Sequence, residues 1–227
     1  MSALAVFRTR ILLMLGDSSS ARYSNDEVDE ALRQALVLYS KAYPQISSQE
    51  ITISAAGRDQ TLTTCTNFMN LIDFIYPYDS TAADPLVYAY PFYVFWKAGT
   101  PYLHIGGSAV PAAAEKILAN FSAFHEVEDL DSAAATTVRE DHESFLVIGA
   151  AGTAAINRGA KVFEAYGSQS NDNDELVAWG NQRMAAFQNI LDDLSRSDSP
   201  RPSSGFPGSS PHWDLDKWDR VDNWDAD

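Results

Sequence analysis

The sequence predicts an α+β fold: a bundle of about four helices, an inserted small β-rich module and an extended C-terminal tail. Three observations predict it. Apolar residues recur at helical spacing toward both ends of the first 196 residues, they alternate with period two across roughly 49–126, and beyond 197 neither pattern survives.

The first helix, 2–15, carries Leu4, Phe7, Ile11 and Leu15 on one stripe and stops at Gly16, a residue suited to a helix C-terminal turn. The second, 25–43, opens with a capping box in which Ser24 and Glu27 exchange hydrogen bonds. Its stripe of Val28, Ala31, Leu32, Ala35, Leu38, Tyr39 and Ala42 ends before Pro44.

The β-rich insertion, 49–126, begins with Ile51, Ile53 and Ala55 alternating with Thr52, Ser54 and Ala56. Gly57-Arg58-Asp59 and a second run, 60–64, complete what reads as a β-hairpin. Further strands are expected at 70–76, 90–96 and 102–105. Residues 112–127 suit either helix or strand. A strand over 116–125 is preferred, with Leu118, Asn120, Ser122 and Phe124 on one face and Ile117, Ala119, Phe121 and Ala123 on the other.

The third helix, 144–166, holds Phe145, Ile148, Gly152, Ala155, Ile156, Gly159, Val162, Phe163 and Tyr166. Each interior glycine costs about 1 kcal/mol against alanine, so Gly149, Gly152 and Gly159 imply a closely packed neighbour. The fourth, 172–195, opens with Asp172, Asp174 and Glu175, which complement the positive helix end. It continues through Leu176, Trp179, Met184, Phe187, Ile190, Leu191 and Leu194. The chain thus divides into a body, 1–196, and a tail, 197–227, the latter a Pro/Gly/Ser linker followed by a Trp/Asp-rich end.

Composition narrows the function. The 227 residues carry 31 acidic and 16 basic side chains, a formal charge of −15. Nucleic-acid readers neutralise phosphates with Lys and Arg, and anionic membrane surfaces attract the same residues. This chain is the opposite. The tail holds seven acids and three bases, which leaves −11 on the body, so the acidity is not confined to the tail. The lone Cys65 excludes an internal disulfide and a multi-cysteine zinc site. The apolar run Ile11 to Leu15 is too short for a signal peptide or a membrane span, so a cytosolic or assembly-resident protein is expected.

Motifs for catalysis are missing. Gly149-Ala150-Ala151-Gly152-Thr153 lacks the lysine and the preceding strand of a phosphate loop, and Gly106-Gly107-Ser108 reads as a turn. Nothing local activates Cys65 toward His104 or His125. His125 and His142, though followed by carboxylates, do not form an H-E-x-x-H pair, and Asp214, Asp216 and Asp219 lack the glycine and terminal glutamate of a calcium loop. No catalytic, cofactor-binding or metal-binding residue is nominated. The candidates are instead partner-binding: Trp213, Leu215, Trp218, Val221 and Trp224, large apolar anchors that the intervening aspartates keep soluble.

The order of elements resembles bacteriophage head-to-tail adaptor (connector) proteins of the virion neck. The resemblance rests on Tyr23-Ser24-Asn25-Asp26-Glu27-Val28-Asp29-Glu30-Ala31-Leu32, on Glu50-Ile51-Thr52-Ile53 with Gly57-Arg58, and on Phe124-His125-Glu126-Val127-Glu128-Asp129-Leu130-Asp131-Ser132-Ala133. Thr136-Thr137-Val138 and the Gly149–Gly152 run complete it. It covers about 1–196. It implies a structural subunit, not an enzyme, assembled into a homo-oligomeric ring of about twelve beneath the portal protein, with DNA passing through unrecognised and a further neck or tail protein below. Family members generally lack the Trp/Asp tail. Another ring-forming neck or tail part, such as a stopper or tail-completion protein, is the alternative, followed by a small hydrolase or metal-dependent enzyme.

Overall fold

A computed structural model of the chain describes residues 2–81, 90–107, 110–166 and 171–197. Its elements are α1 (Leu4–Met14), α2 (Asn25–Ala42), β1 (Gln45–Thr52), β2 (Asp59–Thr61), β3 (Phe68–Ile75), β4 (Phe92–Lys97), β5 (Thr100–Ile105), β6 (Lys116–Ala123), α3 (Glu143–Tyr166) and α4 (Asn171–Ser197). Four helices and two small antiparallel sheets make this the α+β architecture expected, and the helices start and end within two residues of their predicted limits.

Local chemistry explains the first two helices. Helix α1 has no side-chain cap; the Leu4 N–H donates instead to the carbonyl of Glu128. At its other end Gly16 adopts φ +68°, with Gly16 N–H donating to Leu13 and Asp17 N–H to Leu12, the paired bonds of a Schellman stop. The carboxylate of Asp17 then accepts from the N–H groups of Ala21, Arg22 and Tyr23 at 3.0, 2.7 and 2.8 Å. Burial alone would raise its pKa, but these three bonds outweigh it and hold it below the usual range. Helix α2 starts with the predicted capping box: Glu27 N–H reaches Ser24 Oγ, and the Glu27 carboxylate accepts from Ser24 N–H at 2.9 Å.

Helices α3 and α4 touch backbone to backbone. A Cβ built on Gly152 would lie 3.0 Å from the carbonyl oxygen of Gly180, and one on Gly180 would lie 2.9 Å from the carbonyl of Gly152. On Gly149 it would penetrate the Phe187 ring at 2.6 Å. Gly149 and Gly152 thus admit the neighbour they were expected to admit, and the two helices run antiparallel. Around this seam one core gathers Phe7, Ile11, Val28, Leu32, Tyr39, Leu146, Phe187 and Leu194. Phe163, placed on the helical stripe by its spacing, is instead exposed.

The β module has its own core, to which both sheets contribute: Ile51, Phe74, Ile117 and Phe121 from one, Leu103 and Ile105 from the other. The strand orders are β1-β6-β3 and β2-β5-β4. The segment 116–123 is a strand, and of its two predicted faces the one carrying Ile117, Ala119, Phe121 and Ala123 is buried.

The predicted hairpin does not form. Strand β1 pairs with β6 from Gln45↔Ala123 to Thr52↔Lys116, while β2 pairs with β5, so Gly57 and Arg58 carry the chain from one sheet to the other. The module accordingly begins at Gln45, four residues earlier than 49. Past β1 the ladder continues with the distant chain, Ile53 N–H donating to Glu115 and Ala114 N–H to Ile53, and Ala55 is left exposed. Matching Ile51 to Ile117 buries both, which a local turn at Gly57 would not have done.

Substituting Gly180→Ala tests the seam. The gain in helix propensity, about 1 kcal/mol, is smaller than an overpacking cost of about 1–3 kcal/mol, because the obstruction is backbone. A net loss of stability in chemical denaturation is expected, and it should be greater still in the Gly152→Ala, Gly180→Ala double variant.

Candidate functional site

The partner-binding candidates Trp213, Leu215, Trp218, Val221 and Trp224 lie outside the described residues, as does Ser108. The groups considered for chemistry are dispersed. Cys65 belongs to the module core, where burial pushes its thiol up to about 11, away from the reactive thiolate. His104 lies on the outer sheet, its Nδ1 2.6 Å from Asp59 Oδ1 and its ring stacked on Tyr93 at 4.6 Å. Among the described residues no group of three or more His, Cys, Asp or Glu side chains could hold a metal ion.

His125 and His142 do come together, at the junction between bundle and module. Helix α2 supplies Tyr39 and Tyr43, the chain leaving β6 supplies His125, and the turn before α3 supplies His142. The Tyr39 ring sits 5.0 Å from His125 and 5.8 Å from His142. Burial raises the Tyr39 pKa, and its hydroxyl lies 2.8 Å from His142 Nδ1. His142 Nε2 faces Asp141 at 3.7 Å.

The His125 ring is anchored at both nitrogens. Nε2 lies 3.0 Å from the Tyr43 carbonyl, and Nδ1 lies 3.1 Å from the Thr137 carbonyl and 3.2 Å from its hydroxyl. Its backbone N–H donates to Ser40 Oγ at 2.9 Å, and that hydroxyl donates in turn to the Leu36 carbonyl at 2.7 Å. Burial lowers the His125 pKa, with His142 adding a smaller push in the same direction and the Thr137 and Tyr43 bonds opposing it. Each ring nitrogen has a backbone carbonyl within hydrogen-bond distance. These bonds tie the module to the bundle.

A second buried charge secures the N-terminus. Glu143, 1 % exposed, accepts from Ser2 N–H at 2.6 Å, Ser2 Oγ at 2.7 Å and Arg10 Nη1 at 2.8 Å. Burial works to raise its pKa, and these bonds overcome that and lower it.

Four surfaces were not singled out in the sequence. On the outer face of the second sheet, cross-strand partners stack in a ladder, Tyr93 on His104 and Phe95 on Tyr102 at 5.5 Å, with Tyr93 57 % exposed. On the other face of β4, Phe92 meets Phe74 while Trp96, 59 % exposed, meets Phe68 at 6.3 Å. The sequence signal was there: Phe92 to Trp96 offers aromatic or β-branched residues to both faces and no polar face. A cleft between α2 and the chain after β6 is lined by Leu36, Val37, Phe124, Val127 and Leu130, with Arg33 at its rim. An apolar groove between α1 and α3 is lined by Arg10, Leu13, Met14, Ser144, Val147 and Ile148.

No family model matches the chain, and no curated protein matches it. No described helix is long and apolar enough to cross a membrane.

The His125 environment sets a pH dependence. A folded-state pKa lowered from 6.5 means the unfolded chain binds the proton first, so the contribution is complete above pH 6.5 and is lost as pH falls through the folded value. Melting temperature should fall on acidification below pH 6.5, before carboxylates titrate. In His125→Gln that limb of the curve should flatten; an unchanged slope assigns it to another group.

Proposed function

We propose that this protein is a structural subunit of a bacteriophage neck, a head-to-tail adaptor that forms a homo-oligomeric ring below the portal and is not an enzyme. In the virion it lines part of the DNA conduit and receives a further neck or tail protein. The observation that carries the proposal is the architecture itself: two helices, a β excursion and two long helices in one antiparallel seam, with aromatic surface left uncovered on the excursion. It is the arrangement that the adaptor resemblance calls for.

Two further features support it. The body's charge of −11 suits a conduit: an acidic lining repels the phosphate backbone, so a duplex slides without contacts that must break at each step. The uncovered rings of β4 and its partner β5 are of the type that anchors protein interfaces. The long helices α3 and α4 favour an adaptor over a stopper or tail-completion protein, which carries more strand. Trp213, Leu215, Trp218, Val221 and Trp224 are the anchors between neighbours in this reading.

Light scattering of the purified protein, alone and beside a portal assembly, followed by electron microscopy, tests the proposal. A ring formed on the portal is expected, and a protein that never assembles there refutes it. Removing 197–227 should weaken ring assembly while leaving the circular dichroism spectrum of the body intact; undiminished assembly removes the tail from this role.

A further inference from the structure

We propose that the groove between α1 and α3 is the receptor for the C-terminal Trp/Asp segment, which seats one of its tryptophans between Leu13, Met14, Val147 and Ile148. The inference rests on the part of the preceding proposal that makes the tail an anchor.

Sequence and geometry meet in three ways. Each tail tryptophan is followed directly by an aspartate: Trp213-Asp214, Trp218-Asp219 and Trp224-Asp225. The groove offers the complementary pair of features, an apolar floor and one cation at its rim. Leu13 is 63 % exposed, a high value for a leucine, and Val147 forms the buried floor. Arg10 is half-exposed and spends only Nη1 on Glu143, leaving the rest of the guanidinium for a carboxylate or for the face of an indole. The cleft beside α2 is less suited, because its cation Arg33 is already held by Asp131 through Nε and Nη2 and by Glu30 through Nη1.

The exit point of the tail agrees. Phe187 packs on Gly149, so Ser197 lies ten residues, or about 15 Å of helix, further along α4, past the first turn of α3. That is the end of the bundle where Ser144, Val147 and Ile148 form their side of the groove. Trp213 follows sixteen residues after Ser197, and a Gly/Ser-type linker of that length is expected to span about 20–25 Å, enough for the groove of its own copy or of an adjacent one. Indoles are large enough that one seated ring supplies most of the contact energy, and the acidic residues between them prevent collapse of the free segment.

The test uses the full chain with the photo-reactive residue p-benzoylphenylalanine in place of exposed Leu13. On irradiation the cross-linked peptide should map to 212–227, and a Trp213→Ser, Trp218→Ser, Trp224→Ser variant should lower the yield about tenfold, the change expected for loss of about 1.4 kcal/mol. Replacing Asp214, Asp219 and Asp225 by Asn while keeping the tryptophans should lower it less. Cross-links mapping elsewhere, or a yield indifferent to the tryptophans, overturn the inference. Mixing isotopically light and heavy protein shows whether the donor is the same copy or a neighbour, and either supports the groove as receptor. Rings on the portal without tail cross-links sink this inference and spare the adaptor reading; tail cross-links in a protein that never assembles do the reverse.

Discussion

The backbone contact between Gly152 and Gly180 is the constraint from which the bundle takes its shape. With a Cβ on either residue about 3 Å from the opposite carbonyl, the two longest helices can approach this closely only because both positions lack a side chain. That closeness lets Phe187 settle over Gly149 and bury completely, and it brings Leu191 and Leu194 into the core shared with α1 and α2. The helix penalty of the glycines is offset by dispersion across the seam. The direction in which α4 ends, and hence where the tail leaves, follows from the same contact.

The β module is held on this bundle by polar groups. Ser40 turns its hydroxyl toward the chain after β6, Tyr39 turns its toward His142, and His125 bridges the Tyr43 carbonyl and Thr137. Glu143, the residue after His142, ties Ser2 and Arg10 to the start of α3. Buried polar groups of this sort cost more when unpaired than they contribute when paired, so each fixes one arrangement against slightly shifted alternatives. Most of these ties join residues far apart in sequence.

That separation explains what was legible beforehand. The Ser24–Glu27 box, the Gly16 stop and the alternation from Lys116 to Ala123 are written within a few neighbouring residues, and each appears as expected. The pairing of β1 was not legible, because Gly57 looks like a local turn while the burial that decides the register comes from Ile117, on a strand far along the chain. The aromatic ladder needed the cross-strand register of β4 and β5, and the groove at Leu13 needed the packing of α1 on α3. Lone residues carried neither signal. Cys65, His125 and His142 stood out by type, and only the fold shows the first in the module core and the other two serving as joinery.

The pairing of Gln45 with Ala123 carries a consequence for how such a protein can change. The residue where the chain leaves α2 for the module and the residue where it returns sit side by side on adjacent strands, so from the helices' side the whole excursion occupies the space of a short connection. Its own hydrophobic interior makes it a cassette. A lengthened or re-decorated version could replace it without moving α3 or α4, since the closure entropy of a longer insert grows only logarithmically. The surface offered to partners is thereby free to vary while the frame that carries it stays the same.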